Sequence, residues 1–152
     1  MSKVVIITGG SSGIGLCTAA ALRDRGCKVY ELSRRDSEVE GITHLRCDIT
    51  DEEQIKAAVA QVLDENGRID ILINNAGFGI SGAVEFTETS DAQRLFDVNF
   101  FGMVRMNRAI LPLMPRPHCQ SQLGGGTGTH SLPDLLFRRK GRRKQLHHGP
   151  FQ

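Results

Sequence analysis

No proline precedes Pro112 in this 152-residue chain, and all five stand at or after it. Long apolar runs are also missing: none approaches the roughly 18 residues of a membrane span. The N-terminus has no signal-peptide pattern. The four cysteines (Cys17, Cys27, Cys47 and Cys119) form no C-x-x-C pair and no zinc-type spacing. Three of them fall in predicted helix or strand positions, where a buried free thiol is the plain expectation. These absences point to a cytoplasmic protein in a reducing compartment, with no membrane partner and no metal site. No internal repeat is visible.

The small net charge of +2 hides a division. Residues 1–114 carry 12 basic and 16 acidic side chains, whereas residues 115–152 carry 7 basic and 1 acidic. Four of the five histidines also lie after Pro115. Two compositions meet near Met114. Residues 1–114 read as one domain, and residues 115–152 as a Gly/Pro/Arg-rich basic tail.

What the front part does contain is a dense cluster at its start. Val4-Val5-Ile6-Ile7 suits a strand buried on both faces, as in a parallel sheet. Thr8-Gly9-Gly10-Ser11-Ser12-Gly13-Ile14-Gly15 turns the chain into an Ala/Leu-rich helix. A strand, a glycine turn and a helix in that order present backbone N–H groups and a positive dipole end to an anion. The spacing Gly9-x3-Gly13-x-Gly15 differs from G-x-G-x-x-G, and alone it is a weak signal. Gly9-Gly10-Ser11-Ser12-Gly13 also fits a hydrolase nucleophile elbow, but too little chain precedes Ser11 to build the strands that an elbow needs.

Further on, the pattern predicts a helix over 13–25 closed by Gly26, strands over 27–32 and 43–47, and a helix capped at Thr50 in the box Thr50-Asp51-Glu52-Glu53. A strand over 69–73 follows, then a glycine-containing loop. A second box at Ser90-Asp91-Ala92-Gln93 opens a long helix with Leu95, Val98, Gly102, Met106 and Ile110 on one face. Strands alternating with helices imply an α/β domain with a parallel sheet. After Pro115 the periodicity stops. Gly124-Gly125-Gly126 and the run Arg138-Arg139-Lys140-Gly141-Arg142-Arg143-Lys144 suggest disorder.

Four motifs together carry a resemblance: Thr8 to Gly15, Cys47-Asp48-Ile49, Asn74-Asn75-Ala76-Gly77 and Val98-Asn99-Phe100-Phe101-Gly102. In order and spacing, residues 1–114 resemble the cofactor-binding half of a short-chain dehydrogenase/reductase. The resemblance implies a Rossmann-like doubly wound parallel sheet, here with about four strands, which would leave the last strand as an unprotected apolar edge. It implies that Gly9, Ser11, Ser12, Gly13, Ile14 and Gly15 hold the pyrophosphate of a nicotinamide dinucleotide. Asp48 would accept from the adenine amino group, and the stretch with Asn74, Ala76 and Gly77 would line the ribose and steady the central strands. Asn99 would hold a water of the proton relay and is the one member of the catalytic set present. At the end of the second strand, Ser33, Arg34 and Arg35 stand where an acid would bind the ribose of NAD, so NADP(H) is favoured over NAD(H).

The family's reaction is hydride transfer between nicotinamide and a carbonyl or alcohol, with a serine and a Tyr-x-x-x-Lys pair handling the proton. This chain has one tyrosine, Tyr30, on the second strand with Arg34 four residues on, and none in the tail. As written it lacks its acid/base and is expected to be inactive. A shifted reading frame or premature end near Met114 best explains the abrupt tail. A genuine basic tail that binds nucleic acid is the weaker account, and a metal site at His147-His148 the weakest. The alternative functions are a non-catalytic NADP(H)-binding module and, behind it, a nucleic-acid binder. The helix from Ser90 is the expected contact in a homo-oligomer.

Overall fold

The computed structural model describes residues 2–115. The tail, with its expected disorder, basic run and histidine pair, lies outside the described residues.

The apolar opening run forms strand β1 (Val4–Thr8), buried along its whole length. Its alternating side chains feed two cores. Val4 and Ile6 join the larger one with Tyr30, Leu32, Ile55, Val59, Val62, Met106 and Ile110. Val5 and Ile7 join Ala19, Val29 and Ile42 in a smaller one on the opposite face. A strand covered on both faces must be apolar at every position, which is why β1 reads as an unbroken hydrophobic run.

Helix α1 (Gly13–Asp24) leads to β2 (Lys28–Ser33), and the chain continues through β3 (Ile42–Arg46) and α2 (Glu52–Asn66) to β4 (Ile71–Ile73). The four strands are parallel and stand in the order β3-β2-β1-β4. The chain thus leaves β1 in one direction through α1 and returns on its other side as β4. Where the direction switches, the carboxyl ends of β1 and β4 part and open a crevice. This is a Rossmann-like α/β sheet. Among the described residues β4 pairs only with β1, and its three apolar residues are half-buried.

Two helix starts differ from the sequence expectation. Asp51, not Thr50, caps α2: its carboxylate accepts from the N–H groups of Glu53 and Gln54. The Thr50 hydroxyl is taken instead by Asp48 Oδ1 at 2.8 Å. A charged acceptor close to two N–H groups outcompetes a neutral hydroxyl already in use. Helix α3 (Thr89–Phe96) begins at Glu88 with no side-chain cap, so Ser90 lies inside the first turn. The long helix is also not uniform. A π-helical segment, Asp97–Gly102, separates α3 from α4 (Met103–Ile110). Gly102, Met106 and Ile110 are nonetheless buried on one face as the spacing predicts. Of the thiols, Cys47 is buried, Cys27 half-buried and Cys17 exposed, so the expected burial holds at one position of the three.

The loop before β4 is tied to the start of β1. Asp70 Oδ2 accepts from Val4 N–H at 2.8 Å, and Arg68 Nε donates to Asp70 Oδ1 at 2.9 Å. The Arg68 guanidinium, helped by the Val4 N–H, holds the Asp70 carboxyl below its ordinary range, against the opposing effect of burial. A group lowered by folding gives stability above its unfolded value, and that stability is lost as pH falls through the folded value. Asp70→Asn is therefore expected to lower the thermal midpoint at neutral pH, with the gap to wild type closing as pH falls through and below the ordinary carboxylate range. A gap that stays constant across that range would contradict this assignment.

Candidate functional site: the crevice at the carboxyl ends of β1 and β4

Thr8, Gly9, Gly15 and Asn75 form a knot at the switch point. The Asn75 side-chain amide donates to the carbonyls of Thr8 and Gly9 at 3.1 and 3.0 Å. Thr8 Oγ1, almost fully buried, accepts from the N–H groups of Asn75 and Ala76 at 3.1 and 3.0 Å. A hydroxyl oxygen has the two lone pairs this requires. A Cβ on Gly15 would stand 2.2 Å from the Gly9 carbonyl oxygen and 2.4 Å from Asn75 Nδ2. Gly9 has φ +67°, and a Cβ there would lie 2.8 Å from the Ala76 Cα. Both glycines are required by close approach, and Gly9 by its backbone angle as well.

Helix α1 starts differently from α2. Its N-cap Ser12 makes no side-chain cap, and its first turn holds no acid. Gly13 has φ +57° with open space where a Cβ would point. The first N–H groups of the helix thus open onto the crevice without a protein anion against them. The crevice measures about 350 Å³ and is lined by Gly9, Ser11, Ser12, Ile14, Gly15, Ser33, Arg34, Arg35, Asp48, Asn75, Ala76, Gly77 and Phe78, with Leu32, Cys47, Ile49 and Val98. Ile14 is 81% exposed at its mouth. That volume lies in the usual range of small-molecule sites.

Of the residues singled out in the sequence, Gly9, Ser11, Ser12, Ile14, Gly15, Ser33, Arg34, Arg35, Asp48, Ala76 and Gly77 meet along this one wall. Gly13 stands beside it at the helix start. Asp48 uses Oδ1 for the backbone and hydroxyl of Thr50 at 2.9 and 2.8 Å, while Oδ2 lies 3.9 Å from the Arg34 guanidinium. Asn74 is not in the wall: it donates to Asn107 Oδ1 of α4 at 3.0 Å. Its neighbour Asn75 lines the crevice in its place. Strand parity explains the exchange. Ile71 and Ile73 face the α1 side, and Asn75 continues that alternation toward Gly9 and Gly15. The same parity could have pointed to Asn75 from the sequence.

Asn99 sits on the π-helical segment and clamps the backbone of Phe78, accepting from its N–H at 3.0 Å and donating to its carbonyl at 2.8 Å. It thereby fixes the strand end that carries Gly77, where a Cβ would meet Asn99 Oδ1 at 3.1 Å. Tyr30 faces away from the crevice. Its ring is fully buried, and its hydroxyl donates to Glu65 at 2.6 Å and accepts from Asn66 at 2.8 Å. That donation holds the Glu65 carboxyl below its ordinary range. The Cys47 thiol is pushed up to about 11 by burial, with Asp48 and Asp51 adding to the effect, so it stays neutral and serves as packing. No group of three or more metal-ligating side chains occurs among the described residues, and no helix there is long and apolar enough to cross a membrane.

A sequence profile described as short chain dehydrogenase matches residues 3–124. The chain is 43% identical over 113 residues to a 3-ketodihydrosphingosine reductase of Bacteroides thetaiotaomicron, covering 74% of this chain and 42% of that protein. It resembles the structure of a 3-ketoacyl-(acyl-carrier-protein) reductase from Brucella melitensis complexed with NADH, with TM-score 0.68 and 31% identity over 73% of this chain and 49% of the other. It also resembles ElxO with NADP bound, with TM-score 0.66 and 30% identity over 72% of this chain and 49% of the other. The chain belongs to the short-chain dehydrogenase family. It spans less than half the length of each of these three relatives.

The knot at Gly15 gives a mutation whose sign is diagnostic. In an ordinary helix position Gly→Ala stabilises by about 1 kcal/mol. Here the new methyl meets a backbone carbonyl that cannot retreat, and overpacking of this kind costs roughly 1–3 kcal/mol. Gly15→Ala should therefore lower the urea midpoint, and a raised midpoint would refute the geometry described.

Proposed function

We propose that this crevice binds a nicotinamide dinucleotide, NADP(H) in preference to NAD(H), for the hydride-transfer chemistry of an oxidoreductase acting on a carbonyl or alcohol. The observation that carries the reading is the uncapped start of α1 opening on a groove whose far end carries two exposed arginines. Gly9, Ser11, Ser12, Gly13, Ile14 and Gly15 would hold the pyrophosphate through backbone N–H groups, where the helix dipole also favours negative charge. Asp48 would take the adenine amino group on Oδ2, and Asn75, Ala76 and Gly77 would shape the wall beside the ribose. Asn74 and Asn99 would support that wall from behind, Asn74 through α4 and Asn99 through Phe78.

Ser33, Arg34 and Arg35 supply the cofactor preference. Arg34 is 59% exposed and its contact with Asp48 is long, at 3.9 Å, so the guanidinium can turn from that loose pair toward a ribose phosphate. A guanidinium offers such a phosphate paired donors as well as charge. When bound, the dinucleotide supplies the hydride, and this chain's part is to hold and orient it. Among the described residues the single tyrosine, Tyr30, is locked between Glu65 and Asn66 in the core and is not assigned the proton step. We therefore assign this 152-residue chain a binding role, with carbonyl reduction absent on its own.

Phe96, Phe100 and Leu111 are each about half-exposed along the helices after Glu88, a face suited to a second copy of the chain. Free thiols at Cys17, Cys27 and Cys47 suit a cytoplasmic setting.

Calorimetric titration of the purified chain with NADPH and NADH tests the reading. NADPH should bind the tighter of the two. Arg34→Ala with Arg35→Ala should weaken NADPH roughly tenfold, discounting a charged hydrogen bond for solvent exposure, and leave NADH within about twofold. No affinity for either dinucleotide would reject the function, and equal affinity would reject the preference alone.

A further inference from the structure

Strand β2 contains an acid that the dinucleotide crevice does not use. Glu31 is 1% exposed, in the middle of a parallel sheet. Its cross-strand register partner is His44 on β3, whose Nδ1 lies 2.5 Å from Glu31 Oε1. Glu31 Oε2 has no hydrogen-bond partner, and neither does His44 Nε2, which lies 3.9 Å from exposed Asp36. A buried carboxylate supported on one oxygen is costly, so a reason for it is worth seeking.

Ser33 supplies one. Its Oγ lies 3.0 Å from Glu31 Oε1 and 2.9 Å from the Arg35 carbonyl. Both neighbours are acceptors, and a hydroxyl has one proton. The two acceptors compete for it. A carboxylate without another donor wins that competition, because hydrogen bonds to charged acceptors are about twice as strong as neutral ones. With the proton bridging His44 and Glu31 already on Oε1, the carboxylate's pull on Ser33 falls, and the Ser33 proton is left for Arg35.

We propose that the His44–Glu31 pair sets the cofactor preference at a distance, by leaving the Ser33 hydroxyl free to close the Ser33–Arg35 turn. Closed, the turn fixes the backbone that carries Arg34 and Arg35 at the crevice wall. With the Ser33 proton drawn to Glu31, the turn loses the side-chain hydrogen bond that closes it, and the arginines lose their placement. Glu31 and His44 are positioning residues that touch no ligand. The inference rests on the dinucleotide reading above, and it deepens the cofactor preference of that site.

The test is the ratio of NADPH to NADH affinity, with 2′-AMP and 5′-AMP as fragment probes of the same end. A generally damaged fold weakens both dinucleotides together, whereas a misplaced turn lowers the ratio. His44→Leu should lower the ratio roughly fivefold to tenfold, the worth of one hydrogen bond. Ser33→Ala should lower it by a similar factor. The double variant Glu31→Met with His44→Leu removes the competing acceptor and fills its space, so it should restore the ratio to within about twofold of wild type. A double variant as impaired as His44→Leu would overturn the proposal, and so would an unchanged ratio in Ser33→Ala. Should His44→Leu alone fail to fold, the double variant and Ser33→Ala decide the matter. Wild-type protein that binds neither dinucleotide would show that the underlying site assignment is at fault, which is a separate result.

Discussion

The structure depends on how closely the ends of β1 and β4 approach each other around Asn75. One side-chain amide satisfies two consecutive backbone carbonyls, those of Thr8 and Gly9, just where β1 stops and its ladder can no longer do so. Buried carbonyls need such partners. Because Asn75 fills the position beside Gly15, any side chain there would displace it, so the glycine and the asparagine are a single constraint. Thr8 adds the reverse connection by accepting from the two N–H groups that follow β4. Held this way, the strand ends leave a rigid crevice, and α1 begins where its first N–H groups can point into it.

The two helix starts show how local energetics serve that crevice. Helix α2 is well stabilised at its start: Asp51 caps it, Glu52 and Glu53 stand in the first turn, and Gln54 donates back to Asp51. Helix α1 has neither cap nor acid, although Ser12 occupies the position that could provide one. Supplying a cap would have stabilised α1 by about 1 kcal/mol. Forgoing it leaves the first N–H groups of α1 without a side-chain acceptor.

How much of this the sequence disclosed depends on the range of the interaction. The β1 run, the glycine turn and the element order are local patterns, and all were legible. The helix starts at Asp51 and Glu88 differ from the sequence expectation by one or two residues, because Thr50 looks like a cap until its bond to Asp48 is known and Ser90 looks like one although the helix begins before it. The π-helical segment gave no periodic sign, since Leu95, Val98, Gly102, Met106 and Ile110 follow an ordinary helical stripe through it. Within the site, eleven of the residues named from sequence line one wall, and the alternation after β4 puts Asn75 in that wall and Asn74 against α4. The Glu31–His44 pair could not be read at all. It exists only in the register of β2 against β3, and nothing in either segment alone sets that register.

The sheet's two faces also carry different loads, and this bears on what can be separated experimentally. On one side α2 and α4 bury Tyr30, Ile55, Val62, Met106 and Ile110 in a deep core. On the other, α1 buries only Gly15 and Ala19 of its own residues, and Ile71 and Ile73 of β4 are merely half-covered. Apolar strand edges of this kind invite pairing. The crevice, however, draws on β1, on α1's first turn, on the ends of β2 and β3, and on the residues after β4 that Asn75 and Asn99 hold in place. Every one of those supports is internal to the described residues. The crevice therefore rests on the knot at Thr8 and Asn75, while Tyr30, held by Glu65 and Asn66 in the larger core, takes no part in its wall.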